Sequence, residues 1–124
     1  MSGEQSRTRR RLAVVTGGAR GIGESIVTEL VAANYRVAVI DVNAKAIART
    51  RDSAAARSGS VVPVELSITD RGAVERELAR LADDHGPICA LVNNAGMTLP
   101  ATFLDQTDED WDRILAVNLT GAFI

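Results

Sequence analysis

Short apolar runs alternate along the chain with longer stretches in which apolar residues recur every three or four positions. Leu12-Ala13-Val14-Val15, Val37-Ala38-Val39-Ile40 and Ile88-Cys89-Ala90-Leu91-Val92 are runs of the first kind. Such near-continuous runs suit strands covered on both faces, and the stretches between them are long enough to be crossover helices. The pattern predicts βαβ units around a parallel sheet. The first strand is expected at about Arg11–Thr16 and the second at Arg36–Asp41. A helix from Gly21 to about Ala33 would set Ile22, Ile26, Val27, Leu30 and Val31 on one stripe. Asn34 would end it, since asparagine tolerates a left-handed cap.

Asn43 or Asp41 starts the next helical segment, alanine-rich to about Arg57, with Gly59 as its stop. Val61–Leu66 reads as the third strand. It carries Pro63, which cannot donate to a ladder, so this strand is expected at or near an edge. Thr69 or Asp70 caps the next helix, which turns Val74, Leu78 and Leu81 inward and stops at Gly86-Pro87. Ile88–Val92 is the fourth strand, and its unbroken apolar character predicts a central place. After a loop that runs to Thr107, Thr107-Asp108-Glu109-Asp110 supplies a hydroxyl cap and acids for a helix start. That helix carries Trp111, Ile114, Leu115, Val117, Leu119, Ala122, Phe123 and Ile124. Its second half is apolar nearly all round, which predicts burial against the sheet on one side and a partner subunit on the other. No stop signal follows it, and no later strand covers the fourth one. The pattern therefore reads as the first half of something longer.

Composition narrows the class. The 124 residues allow one domain at most, and a hydrophobic share of 46 % with 24 % charged residues is that of an ordinary globular chain. A net charge of −2 offers no basic face for nucleic acid. No apolar run approaches the ~20 residues of a membrane span. The basic stretch Ser6-Arg7-Thr8-Arg9-Arg10-Arg11 is followed only by Leu12 to Val15, shorter than the ~7–15 apolar residues of an export signal. Residues 1–10 therefore read as a basic tail before a single unit at 11–124, and a cytoplasmic location is expected. Cys89 is the only cysteine, so there is no disulfide framework, and within its apolar run it is expected as a small buried residue. His85, also single, precedes Gly86-Pro87, where an imidazole favours the negative end of a helix. With no cluster of ligating residues, no metal site is expected.

The chemistry concentrates in Thr16-Gly17-Gly18-Ala19-Arg20-Gly21-Ile22-Gly23, between the first strand and the first helix. Glycines let backbone approach an anion without a Cβ in the way, and the helix behind them presents unpaired N–H groups and a positive dipole end. A P-loop is excluded, because Glu24 stands where that motif needs lysine. Asp41 ends the second strand about 18 residues past Gly23, where a dinucleotide site needs a carboxylate for the adenosine ribose hydroxyls. That carboxylate repels the additional phosphate of NADP, whereas Arg20 could pair with it. NAD is the expected cofactor, preferred over NADP, since Arg20 can turn to solvent and Asp41 cannot leave the ribose. Asn118 is an amide in an apolar helix, where burial is costly without a hydrogen-bond partner. It reads either as a satisfied packing residue or as a functional one.

The glycine spacing Gly17-x-x-x-Gly21-x-Gly23, with Thr16 before it and Ile22 inside it, resembles that of the short-chain dehydrogenase/reductase family. Asn93-Asn94-Ala95-Gly96 after the fourth strand, Asp70 at the helix start after Leu66-Ser67-Ile68-Thr69, and Val117-Asn118-Leu119 extend the resemblance from Leu12 onward. The resemblance implies an α/β Rossmann-type doubly wound parallel sheet, first half only, with strand order 3-2-1-4. It implies Gly17, Arg20, Gly21, Ile22 and Gly23 at the pyrophosphate and Asp41 at the ribose. Ser67, Ile68, Asn94, Ala95 and Gly96 would flank adenosine, and Asn118 would hold a water in a catalytic proton relay. Ser67 departs from the family's usual aspartate and is a shorter, weaker acceptor for the adenine amino group. The implied reaction is hydride transfer between nicotinamide and a carbonyl or alcohol, as in a 3-oxoacyl reductase or a sugar or alcohol dehydrogenase. A homodimer or homotetramer through the last helix is expected. The family's catalytic serine and Tyr-x-x-x-Lys pair have no match in these residues, because the only tyrosine, Tyr35, has Val39 four places on. The 124-residue chain alone is thus expected to be inactive. The alternative is a non-catalytic dinucleotide-binding fragment or interaction module.

Overall fold

In the computed structural model, residues 10–96 and 107–117 are described. Four parallel strands, β1 (Arg11–Thr16), β2 (Tyr35–Asp41), β3 (Val61–Glu65) and β4 (Ile88–Asn93), form one sheet in the order β3-β2-β1-β4. The helices are α1 (Gly21–Ala32), α2 (Ala44–Arg51), α3 (Ala54–Arg57), α4 (Arg71–His85) and α5 (Asp108–Leu115). This is a Rossmann-type parallel sheet, with the strand order that the sequence predicts.

Alternation along β1 and β2 divides the core into two layers, because successive side chains of a strand point to opposite faces. Ala13, Val15, Val37 and Val39 pack on one face with Val27 of α1 and Ile47 of α2. Leu12, Val14, Ala38 and Ile40 pack on the other with Val74 and Leu81 of α4. Burial on both faces is why these strands read as continuous apolar runs. Pro63 pairs with Val39 from the edge strand β3, where its missing N–H breaks no ladder on the outer side. Asn34 takes a left-handed φ of 70° immediately after α1. The Asp70 side chain accepts from Ala73 N at 3.1 Å to cap α4, and Gly86 ends that helix with φ 92°.

Three expectations need correction. The alanine-rich segment is not one helix but two, broken at Asp52 and Ser53. Ser53 Oγ donates to Thr50 O at 2.6 Å and accepts from Ala56 N at 3.2 Å, so one hydroxyl closes α2 and caps α3. β4 is not central within the described sheet. It pairs with β1 alone, leaving alternate residues outward, so that Cys89 is exposed rather than buried and Leu91 is 56 % exposed. Ile22 lies off the inner stripe of α1, at 77 % exposure, because Gly23 takes the inward place in the first turn.

Candidate cofactor site

The C-terminal ends of all four strands open onto one cleft of about 600 Å³, within the range of small-molecule sites. Behind its lining stands Thr16, the last residue of β1, which is 6 % exposed. The Thr16 hydroxyl accepts from Asn94 N and Ala95 N, each at 3.0 Å, and lies 3.4 Å from the Val92 carbonyl as a donor. One donor and two acceptor positions are all a hydroxyl has. This single side chain therefore fixes the turn after β4 against the end of β1. Asn94 completes the join, its Nδ2 donating to Gly17 O at 3.1 Å.

The glycine loop follows. Gly17 has φ 66° and donates its N–H to Ile40 O at 2.7 Å, which stitches the loop to β2. Arg20 is the N-cap of α1, with extended backbone at φ −151° and ψ 158°, and its own side chain makes no capping hydrogen bond. The first-turn N–H groups are thus left to a ligand, which is the arrangement an anion site requires. Gly21 has φ 55°, and among the described residues nothing lies within 4 Å of where its Cβ would stand. Gly23 is the opposite case. A Cβ there would lie 2.1 Å from Gly17 O and 2.6 Å from Asn94 Nδ2, so its role is to let α1 lie against the loop.

Asp41 closes the floor at the end of β2, with its side chain only 4 % exposed. Oδ2 accepts from Ala19 N at 3.3 Å and Oδ1 from Asn43 N at 3.0 Å. An ionised carboxylate has about four acceptor positions, so two remain for ligand hydroxyls. The Arg20 guanidinium is 4.0 Å from Oδ1 and 59 % exposed, leaving it room to swing out. After β3, Ser67 Oγ shares a 2.7 Å hydrogen bond with Thr69 Oγ1 and accepts from Thr69 N at 3.3 Å. Arg113, Ala116 and Val117, at the end of α5 and just beyond it, complete the lining.

A family profile for short chain dehydrogenases matches residues 11–124. The chain belongs to the short-chain dehydrogenase family. It is 40 % identical over 114 residues to the acetoacetyl-CoA reductase of Rhizobium meliloti (strain 1021), covering 91 % of this chain and 45 % of that one. It is 36 % identical over 111 residues to the sorbitol dehydrogenase of Cereibacter sphaeroides, covering 90 % of this chain and 42 % of the relative. Among solved structures, a short-chain dehydrogenase of Novosphingobium aromaticivorans superposes with a TM-score of 0.82 at 31 % identity, over 91 % of this chain and 42 % of its own. The chain spans less than half the length of these relatives.

Membership of the short-chain dehydrogenase family implies a nicotinamide dinucleotide, and the residues present fit one. The cleft offers a glycine-rich loop, a helix start that Arg20 does not cap with its side chain, and a buried carboxylate with acceptor positions to spare. It brings together Gly17, Arg20, Gly21, Asp41, Ser67, Ile68, Asn94, Ala95 and Gly96. Ile22 and Gly23 are not part of its lining. Asn118 lies outside the described residues. Sequence reasoning missed Arg113, although it stands one helical turn before Val117, and it took Thr16 only as a flank of the motif.

A Gly21→Ala change separates binding from folding. The left-handed backbone would cost about 1–2 kcal/mol with an alanine, and the open surroundings add no clash. The methyl group would project where the ligand backs onto the loop. Dinucleotide affinity is expected to fall at least tenfold while the chain stays folded, as read by titration calorimetry beside a thermal melt.

Proposed function

We propose that these residues form the NAD-binding half of an oxidoreductase that moves hydride between nicotinamide and a carbonyl or alcohol of a small molecule. The observation that carries this reading is Asp41, a buried carboxylate at the tip of β2 that lies against the glycine loop at the floor of the cleft. The dinucleotide supplies the hydride donor or acceptor. The chain's own residues bind and orient it: the start of α1 at the pyrophosphate, Asp41 at the ribose hydroxyls, and Ser67, Ile68 and Asn94–Gly96 around adenosine. The names of the relatives, a reductase and a dehydrogenase, support carbonyl–alcohol chemistry. No Tyr-x-x-x-Lys occurs within the 124 residues, and the part we assign to them is binding. We place its site of action in the cytoplasm and its contact with a second copy on α5, where Trp111 is 60 % exposed. Among the described residues, no helix is long and apolar enough to cross a membrane.

Asp41 tests the reading. Asp41→Ser removes the charge that disfavours a 2′-phosphate and leaves Arg20 without its partner. NAD affinity is expected to drop about tenfold, the scale of a lost charge-assisted hydrogen bond, and the NADP-to-NAD affinity ratio to rise. A wild-type chain that bound NADP more tightly than NAD would assign control to Arg20 instead.

A further inference from the structure

Arg49 stands on α2, behind the glycine loop as seen from the cleft. Its Nη2 donates to the Ala19 carbonyl at 2.9 Å and lies 3.4 Å from Glu24 Oε2 of α1. Ala19 itself is 2 % exposed, and its N–H donates to Asp41 Oδ2 at 3.3 Å. Both polar backbone atoms of this buried residue are therefore held, one by the carboxylate at the cleft floor and the other by a cation on the far side. Arg49 lines a separate cavity of about 280 Å³ on that far face, together with Glu24 and Thr50, and does not line the cleft.

The next peptide inherits this constraint. In a trans peptide the carbonyl and the following N–H point in opposite directions, and no cis peptide occurs among the described residues. A carbonyl drawn back to Arg49 turns the Arg20 N–H the other way, toward the side on which Arg20 and Gly21 line the cleft. If that peptide turned over, a carbonyl oxygen would face a bound phosphate, and the site would lose one charge-assisted hydrogen bond while gaining a repulsion. One guanidinium nitrogen, Nη2, reaches both the carbonyl and the carboxylate, and arginine keeps its charge throughout. The Arg49–Glu24 pair, with side chains 64 % and 55 % exposed, is screened by solvent and adds little to stability.

We propose that Arg49 is a positioning residue for phosphate binding: by holding the Ala19 carbonyl behind the loop, it aims the Arg20 amide at the pyrophosphate of the dinucleotide. The inference rests on the dinucleotide reading of the cleft. It separates ligands that carry phosphate from those that do not, which a general loosening of the fold would not.

The test is calorimetric titration of the wild-type chain, Arg49→Met and Arg51→Met with adenosine, ADP and NAD. Arg51 is an exposed arginine on the same helix and serves as the control for charge. Arg49→Met is expected to weaken ADP and NAD about tenfold and adenosine less than twofold, with Arg51→Met within twofold of wild type for all three. Arg49→Lys, which keeps a cationic donor on a shorter reach, is expected to recover part of the loss. Equal weakening of adenosine and ADP in Arg49→Met, equal losses in both methionine variants, or unchanged ADP affinity would each overturn the assignment. A wild-type chain that bound neither ADP nor NAD would instead overturn the dinucleotide reading beneath it.

Discussion

A Gly23→Ala variant is expected to lose about 3 kcal/mol or more of stability, the upper range for forcing extra volume into a packed site. Alanine normally stabilises a helix over glycine by roughly 0.5–1 kcal/mol, so the sign of the change is itself diagnostic. The new Cβ would stand 2.1 Å from Gly17 O and 2.8 Å from Gly17 C, which are backbone atoms that no rotamer change can move away. Moving them is costly, because Gly17 N is bonded to Ile40 O at 2.7 Å and Gly17 O accepts from Asn94 Nδ2 at 3.1 Å. The strain would pass from α1 into β2 and into the turn after β4. Urea denaturation measures the loss, and NAD titration should show binding failing with the fold. The companion variant is Gly21→Ala, two residues away, where the same methyl meets nothing within 4 Å among the described residues. If Gly23→Ala proved as stable as Gly21→Ala, the close packing of α1 on the loop would be wrong.

The contrast between these glycines shows where the sequence could be read and where it could not. The spacing of Gly17, Gly21 and Gly23 announces an anion loop, but not that one glycine turns the backbone, one leaves space for a ligand and one admits a neighbouring chain segment. Local signals carried the rest of the fold well. Pro63 put β3 at an edge, Asn34 ended α1, and Asp70 capped α4, because each acts through backbone within a few residues. Failures came where the answer depended on what packs alongside. The run Ile88–Val92 looks covered on both faces, yet with β1 as its only strand neighbour among the described residues Cys89 and Leu91 face out. Alanine content favours an unbroken helix to Arg57, and only the hydroxyl of Ser53, competing with the helical bonds, breaks it. Arg49 reaches Ala19 across 30 residues of sequence, a contact set by the orientation of α2 on the sheet and invisible to any motif.

Thr16 tests the most distant of these joins. Thr16→Val keeps the branched shape and removes the hydroxyl, so Asn94 N and Ala95 N lose an acceptor 78 and 79 residues away in the chain. Asn94 N still has Val92 O at 3.1 Å, which leaves Ala95 N as the group without a partner. Ala95 is half-buried at the cleft wall, so leaving its N–H unsatisfied is expected to cost about 1 kcal/mol, the low end of the range for a donor without a partner, as read by chemical denaturation. Function should suffer beyond that figure. Asn94, Ala95 and Gly96 all line the cleft, and without the hydroxyl their turn is no longer pinned to the start of the glycine loop. NAD affinity is expected to fall about tenfold, the equivalent of ~1.4 kcal/mol. Thr16→Ser, which restores the acceptor and gives up only a methyl group, is expected to recover most of the affinity. A valine variant that bound NAD like the wild type would mean that the turn after β4 holds its place through Asn94 alone, by the bond from its side chain to Gly17 O.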